Sequence, residues 1–167
     1  ADAPKVRNVD YTNYEEGIYV GYRHYVSHNK KVSYPFGYGL SYTQFDYTNA
    51  TVKANGDSVT IECDVRNTGK TSGKEVVQMY VSAPKSKCMD KPARELKAFG
   101  KTRLLAPGES QHIKLSINRY NLASFHDDQN AWVADKGTYG ILIGSSCMDI
   151  KAKTSVDIAY ATWKVTK

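Results

Sequence analysis

Glu62 and Asp64 are the first residues in this chain with a spacing suited to acid–base chemistry, because they sit two apart in an alternating run. On one side of a strand their carboxyls would lie roughly 7 Å apart, enough to admit a water between a general acid and a general base. A general acid also needs burial that raises its pKa, and an outward strand face does not supply it. Both are therefore read as solvated surface groups, and the adjacent pairs Glu15-Glu16 and Asp127-Asp128 as turn or surface groups. His24 and His28 have the i, i+4 spacing that places two imidazoles on one face of a helix, as in metal sites. No third ligand is spaced nearby, and Tyr25-Val26-Ser27-His28-Asn29 does not read as a stable helix, so these histidines are expected to be exposed or packing groups. Asp127-Asp128-Gln129-Asn130 lacks the glycine and distal glutamate of a calcium loop and reads as a hairpin turn. Cys63 falls in an inward row and reads as an inert core thiol. Cys88 and Cys147 could pair in an exported protein, but the expected strand directions put them at opposite ends, so free thiols are expected. The residues thus point to no catalytic group, no metal site and no cofactor.

The elements that must position these residues are strands. The 13 tyrosines, 12 glycines and frequent Val, Ile and Thr suit pleated, half-buried surfaces. Val59, Ile61, Cys63 and Val65 point one way, with Thr60, Glu62 and Asp64 opposite. Ile113, Leu115 and Ile117 repeat this alternation, as do Ile150, Ala152, Thr154, Val156 and Ile158. Val77, Met79 and Val81 alternate with Val76, Gln78 and Tyr80, so this strand is apolar on both sides and central. Asn67-Thr68-Gly69 with Ser72-Gly73, Ala106-Pro107-Gly108 and Lys136-Gly137 are the chain reversals between runs. The fold class that follows is all-β: an immunoglobulin- or fibronectin type III-like sandwich of about seven strands with an irregular N-terminal extension. Its divisions are 1–41 extension, 42–160 sandwich and 161–167 tail.

At 167 residues and 41% hydrophobic content the chain can bury one core of ordinary size. The net charge of +6 comes from lysines scattered over separate segments, with no basic stripe, so no nucleic-acid partner is expected. No apolar run reaches the roughly 20 residues of a membrane span, and any targeting peptide is expected to have been removed or to lie upstream. Asn49-Ala50-Thr51 is a glycosylation sequon, relevant only to an exported eukaryotic protein.

Residues 1–41 carry large side chains that a short segment cannot bury by itself. Tyr19, Tyr22, Arg23, Tyr34, Phe36 and Tyr38 are the candidate packing residues, expected either to meet a neighbouring domain or to fold back on the sandwich.

Two stretches of this extension, Tyr14-Glu15-Glu16-Gly17-Ile18-Tyr19-Val20-Gly21-Tyr22-Arg23-His24-Tyr25 and Tyr34-Pro35-Phe36-Gly37-Tyr38-Gly39-Leu40-Ser41-Tyr42-Thr43-Gln44-Phe45, resemble a signature of family 3 glycoside hydrolases. These are the β-glucosidases and β-xylosidases, and the signature marks the passage from their α/β sandwich domain to a fibronectin type III-like domain. The resemblance continues through Asn67-Thr68-Gly69, Glu75 to Val81, Pro92 to Phe99, Leu105 to Glu109, Gly137-Thr138-Tyr139, Gly144-Ser145-Ser146 and Asp149-Ile150, in the family's order. Ala98, where the family often has glycine before its buried Phe99, and Tyr38 are small departures. The resemblance implies a parent that hydrolyses terminal β-linked glucosides or xylosides. It also implies that the nucleophilic aspartate and the acid/base glutamate precede this signature, so neither carries over to a residue here. The expected partner is the catalytic domains of that parent, and the expected location secreted or periplasmic.

Three functions are weighed. A non-catalytic accessory domain that stabilises the catalytic domains is favoured by the motifs. A carbohydrate-binding module, with weak affinity for polysaccharide, would need a row of exposed aromatics, whereas Trp132 and Trp163 fall in a hairpin and in the tail without forming one. A protein-interaction module would use an immunoglobulin-like sheet edge, but lysines and short strands blunt those edges, and the tyrosine-rich start, the one adhesive stretch, is explained more simply by a neighbouring catalytic domain.

Overall fold

The computed structural model describes residues 14–86 and 89–165, and the expectation for Cys88 lies outside them. Ten strands follow in order: β1 (Phe45–Asn55), β2 (Ser58–Asn67), β3 (Val76–Ser82), β4 (Glu95–Lys101), β5 (Ser110–Asn118), β6 (Ser124–His126), β7 (Ala131–Ala134), β8 (Gly137–Gly144), β9 (Ile150–Ile158) and β10 (Ala161–Lys164). Seven of them make the two layers of the sandwich, β1-β2-β5 facing β4-β3-β8-β9, with every pairing antiparallel. The other three form a small sheet, β10-β7-β6.

The alternating rows meet between the layers. Val59, Ile61, Cys63 and Val65 are buried against Val77, Met79, Val81, Tyr139, Ile141 and Ile143 in one cluster. Each fully buried aliphatic side chain there contributes roughly 1.5–3 kcal/mol, which outweighs any exposed ion pair. Burial also pushes the Cys63 thiol up to about 11, as expected for an inert core group, and Cys147 is likewise a buried free thiol. Strand β3 is buried from Val77 through Val81 and lies between β4 and β8, as its two apolar sides require.

Four sequence expectations are corrected by register and burial. A short helix, α1 (Tyr22–Ser27), stands where none was expected, with the His28 Nδ1–H donating to the His24 carbonyl at 2.9 Å. Phe99 was expected in the core, but a bulge between β3 and β4 sets it opposite Gln78 on the outer face, 69% exposed, and gives the inner place to Ala98. A matching irregularity between β8 and β9 sets Ile150 opposite Gly144, so it packs with Tyr80, Leu142 and Cys147 on the outer face instead of in the inward row. Residues 161–164 are a strand, not a tail, because Ala161 and Trp163 bury apolar surface against the main core while pairing with β7.

One buried polar group closes an end of the sandwich. Asn67 is fully buried, and its side chain makes every bond its amide offers. Oδ1 accepts from Thr43 Oγ1 (2.6 Å) and the Gly69 N–H (3.0 Å), and Nδ2 donates to the carbonyls of Thr71 (2.8 Å) and Leu105 (2.9 Å). This residue therefore ties the segment leading into β1, the β2–β3 loop and the connection between β4 and β5 together. Asn67→Ala leaves several of these groups unpaired, and the expected loss in unfolding free energy is about 2–4 kcal/mol. Urea denaturation measures it, and a loss under about 1 kcal/mol would show that the amide is not a structural tie.

Candidate interdomain surface

The described part of the extension folds back over the outer face of the four-stranded sheet. Strand β3 presents Gln78 and Tyr80 there, both buried, so their polar atoms need partners within the protein. The Tyr80 hydroxyl donates to Gln78 Oε1 at 2.5 Å, and Gln78 Nε2 donates to the carbonyls of Gly37 (3.1 Å) and Ser145 (2.5 Å). The chain comes this close only because position 37 is glycine: it sits at φ 82°, and a Cβ there would overlap the Gln78 amide. A second backbone link joins the Cys147 N–H to the Phe36 carbonyl at 2.9 Å.

The six candidate residues divide by role. Tyr22 stacks on Phe36 (4.5 Å between ring centroids), meets Tyr80 edge-on (6.2 Å), and accepts the Leu96 N–H on its hydroxyl at 2.8 Å. Arg23 pairs with Glu95 at 2.9 Å, and the Tyr19 hydroxyl donates to Asp90. These three face the sandwich. Tyr34 (74% exposed) and Tyr38 lie 5.4 Å apart on the outer side, and Phe36 is half-exposed at the margin. Leu40 and Tyr42, which were not among the candidates, follow them in the chain and are more than nine-tenths exposed. Gln78 was also missed, although a lone amide between Val77 and Met79 signals a buried polar partner.

The carboxylates of Glu62 and Asp64 are committed to structure. The Lys114 ammonium at 3.1 Å holds Glu62 below its ordinary pKa, and bonds from Asn49 (2.7 Å) and His112 (2.8 Å) do the same for Asp64. Such groups are the reverse of a general acid. Glu75 is the exception that sequence reasoning did not find: burial pushes its pKa up, and it lines the groove beneath residues 37–41 with Asp149. Asp149 in turn is engaged by Ser145 Oγ at 2.5 Å and the Lys151 ammonium at 2.9 Å. Among the described residues no group of three or more His, Cys, Asp or Glu could hold a metal ion, and no helix is long and apolar enough to cross a membrane.

A two-layer antiparallel sandwich with this strand order defines an immunoglobulin-like class of domain, and residues 75–147 match the family model described as a fibronectin type III-like domain. The chain is 41% identical to β-glucosidase A of Butyrivibrio fibrisolvens over 85% of its length, and 36% identical to thermostable β-glucosidase B of Acetivibrio thermocellus over 95%. It spans about a fifth of each, 20% and 21%. The solved structure of β-glucosidase 3B from Thermotoga neapolitana in complex with glucose superposes with a TM-score of 0.87 at 45% identity, covering 91% of this chain and 21% of that one. β-Glucosidase from Kluyveromyces marxianus in complex with glucose gives 0.86 at 38%, covering 90% and 18%. The chain thus carries a fibronectin type III-like domain and matches a part of the family 3 glycoside hydrolases, about a fifth of the β-glucosidases it resembles.

Two outcomes follow for the docked extension. Gly37→Ala should free it while the sandwich stays folded, seen as tryptic cleavage at Lys30 and Lys31 several times faster with an unchanged far-UV circular dichroism spectrum; unchanged cleavage would show that the Gln78 contact does not hold it. Glu75 binds its proton more tightly folded than unfolded, so its contribution favours the fold at acid pH and is lost as pH rises through its folded value. Glu75→Gln is accordingly expected to raise the melting temperature at pH 7, with a gain that shrinks as pH falls toward 4.5; a gain that grows on acidification would reverse the assignment.

Proposed function

We propose that this chain is a non-catalytic accessory domain of a family 3 glycoside hydrolase that cleaves terminal β-linked glucosides or xylosides, and that it stabilises the catalytic domains by packing on them. One observation carries the reading: the extension is fixed to the sandwich by specific bonds, yet the paired Tyr34 and Tyr38, and Leu40 and Tyr42 after them, stay exposed. Fixing such a segment against a rigid sheet prepares it for contact, since ordering it costs nothing further when a partner arrives. In this reading Tyr34, Phe36 and Tyr38 meet the neighbouring domain, while Tyr19, Tyr22 and Arg23 hold the extension in place behind them. The relatives, about five times longer than this chain, supply the reason to seek the partner within the same polypeptide. Glu62 and Asp64, held in the ionised form by their partners, support a non-catalytic role. A secreted or periplasmic location is part of the proposal.

In the enzyme that carries this segment, changing Tyr34 and Tyr38 together to serine is expected to lower the midpoint of thermal inactivation by about 0.6 °C for each kcal/mol of interdomain packing removed, the unfolding entropy of so long a chain being correspondingly large. The melting temperature of the isolated chain should not change, because both rings are exposed there. The isolated chain is expected to release no product from aryl β-glucosides or β-xylosides. Turnover that persists through purification and disappears on mutating a residue of this chain would overturn the reading.

A further inference from the structure

The small sheet builds an aromatic row that strand periodicity in the sequence did not reveal. Trp132 on β7 stands directly opposite Phe125 on β6 and Trp163 on β10, so the three side chains share one face of the sheet. Phe125 meets Trp132 edge-on at 5.6 Å, and Tyr120 leans against both indoles, at 5.7 Å from Trp132 and 5.3 Å from Trp163. Trp132 is thus held by two ring neighbours yet remains 37% exposed. It lines a groove of about 340 Å³ with Phe125, Arg23, Glu95 and Lys97.

The polar wall of this groove is equally fixed. Glu95 Oε1 pairs with Arg23 Nη2 at 2.9 Å, and Oε2 with Lys97 Nζ at 3.3 Å, with about a fifth of the Glu95 and Lys97 side chains exposed. A carboxylate held between two cations in a half-buried network keeps acceptor capacity, and the cations keep donor capacity, for a ligand that offers both. A rigid aromatic platform beside such a wall suits a ligand with one apolar flank and a rim of hydroxyls. A pyranose ring has both. The volume sits at the low end of the range for small-molecule sites, about 300–1,000 Å³, and so fits the end of an oligosaccharide better than a long stretch of chain.

We infer that the groove between Trp132, Phe125 and the Arg23–Glu95–Lys97 network is a binding site for the end of a neutral β-linked oligosaccharide. It lies apart from the exposed Tyr34–Tyr38 pair, and it requires no catalysis by this chain.

The chain contains two tryptophans, so Trp163→Phe leaves Trp132 as the sole indole reporter. Titrating that variant with β-1,4-glucan, β-1,3-glucan and β-1,4-xylan oligomers should give saturable changes in tryptophan emission with at least one of them. In the unaltered chain, calorimetry should detect the same binding, with Trp132→Ala abolishing it and Glu95→Gln weakening it about tenfold, each with an unchanged far-UV circular dichroism spectrum. A flat titration with all three oligomers up to millimolar concentration would overturn the site. So would calorimetric binding that survives Trp132→Ala, or a response only to an acidic polysaccharide that disappears with added salt.

Discussion

A strand that is apolar on both sides must be covered on both sides, and the rest of this molecule follows from that requirement in β3. Val77, Met79 and Val81 are covered by the facing layer of the sandwich. Gln78 and Tyr80 look the other way, where a two-layer fold has nothing to offer. The aromatic extension supplies the missing third layer, with Tyr22 and Val26 packed on Tyr80 and Leu142. The extension is therefore part of the domain's own packing even while it offers a further surface outward.

Two amides do much of the organising, by the same chemistry at different places. Asn67 and Gln78 are both buried and both have their side-chain oxygen and nitrogen engaged, Asn67 to loops at one end of the sandwich and Gln78 to Gly37 and Ser145 across its outer face. A buried amide left unpaired costs more than a paired one contributes, so each selects one arrangement of the loops around it. Apolar packing alone would let those loops slide.

The sandwich was legible in the sequence because period-two alternation records which side of a strand is buried, and the rows through Val59–Val65 and Ile113–Ile117 do so plainly. Bulges interrupt that record. One extra residue between β3 and β4 turns Phe99 outward, and a similar slip moves Ile150, because a shift of one position exchanges the two faces. The aromatic row was hidden for a different reason: Phe125, Trp132 and Trp163 lie on three separate strands, and only their register makes them neighbours. Within the extension, the aromatic residues themselves announced a packing surface, but the division between inward Tyr22 and outward Tyr34 depends on how Gly37 approaches Gln78, which no local pattern encodes.

The hydroxyl of Tyr22 on the Leu96 N–H has a consequence for the outer strand of the large sheet. β4 has a neighbour on one side only, and such a border presents free main-chain groups to which a foreign strand can add. Tyr22 occupies one of those donors, Ser27 takes the Ala93 N–H at 2.9 Å just before the strand, and the bulge twists the border out of line. The aromatic leader thus doubles as a guard against strand-by-strand polymerisation, and a molecule stripped of it would be expected to assemble through β4 into ordered aggregates before its core melted.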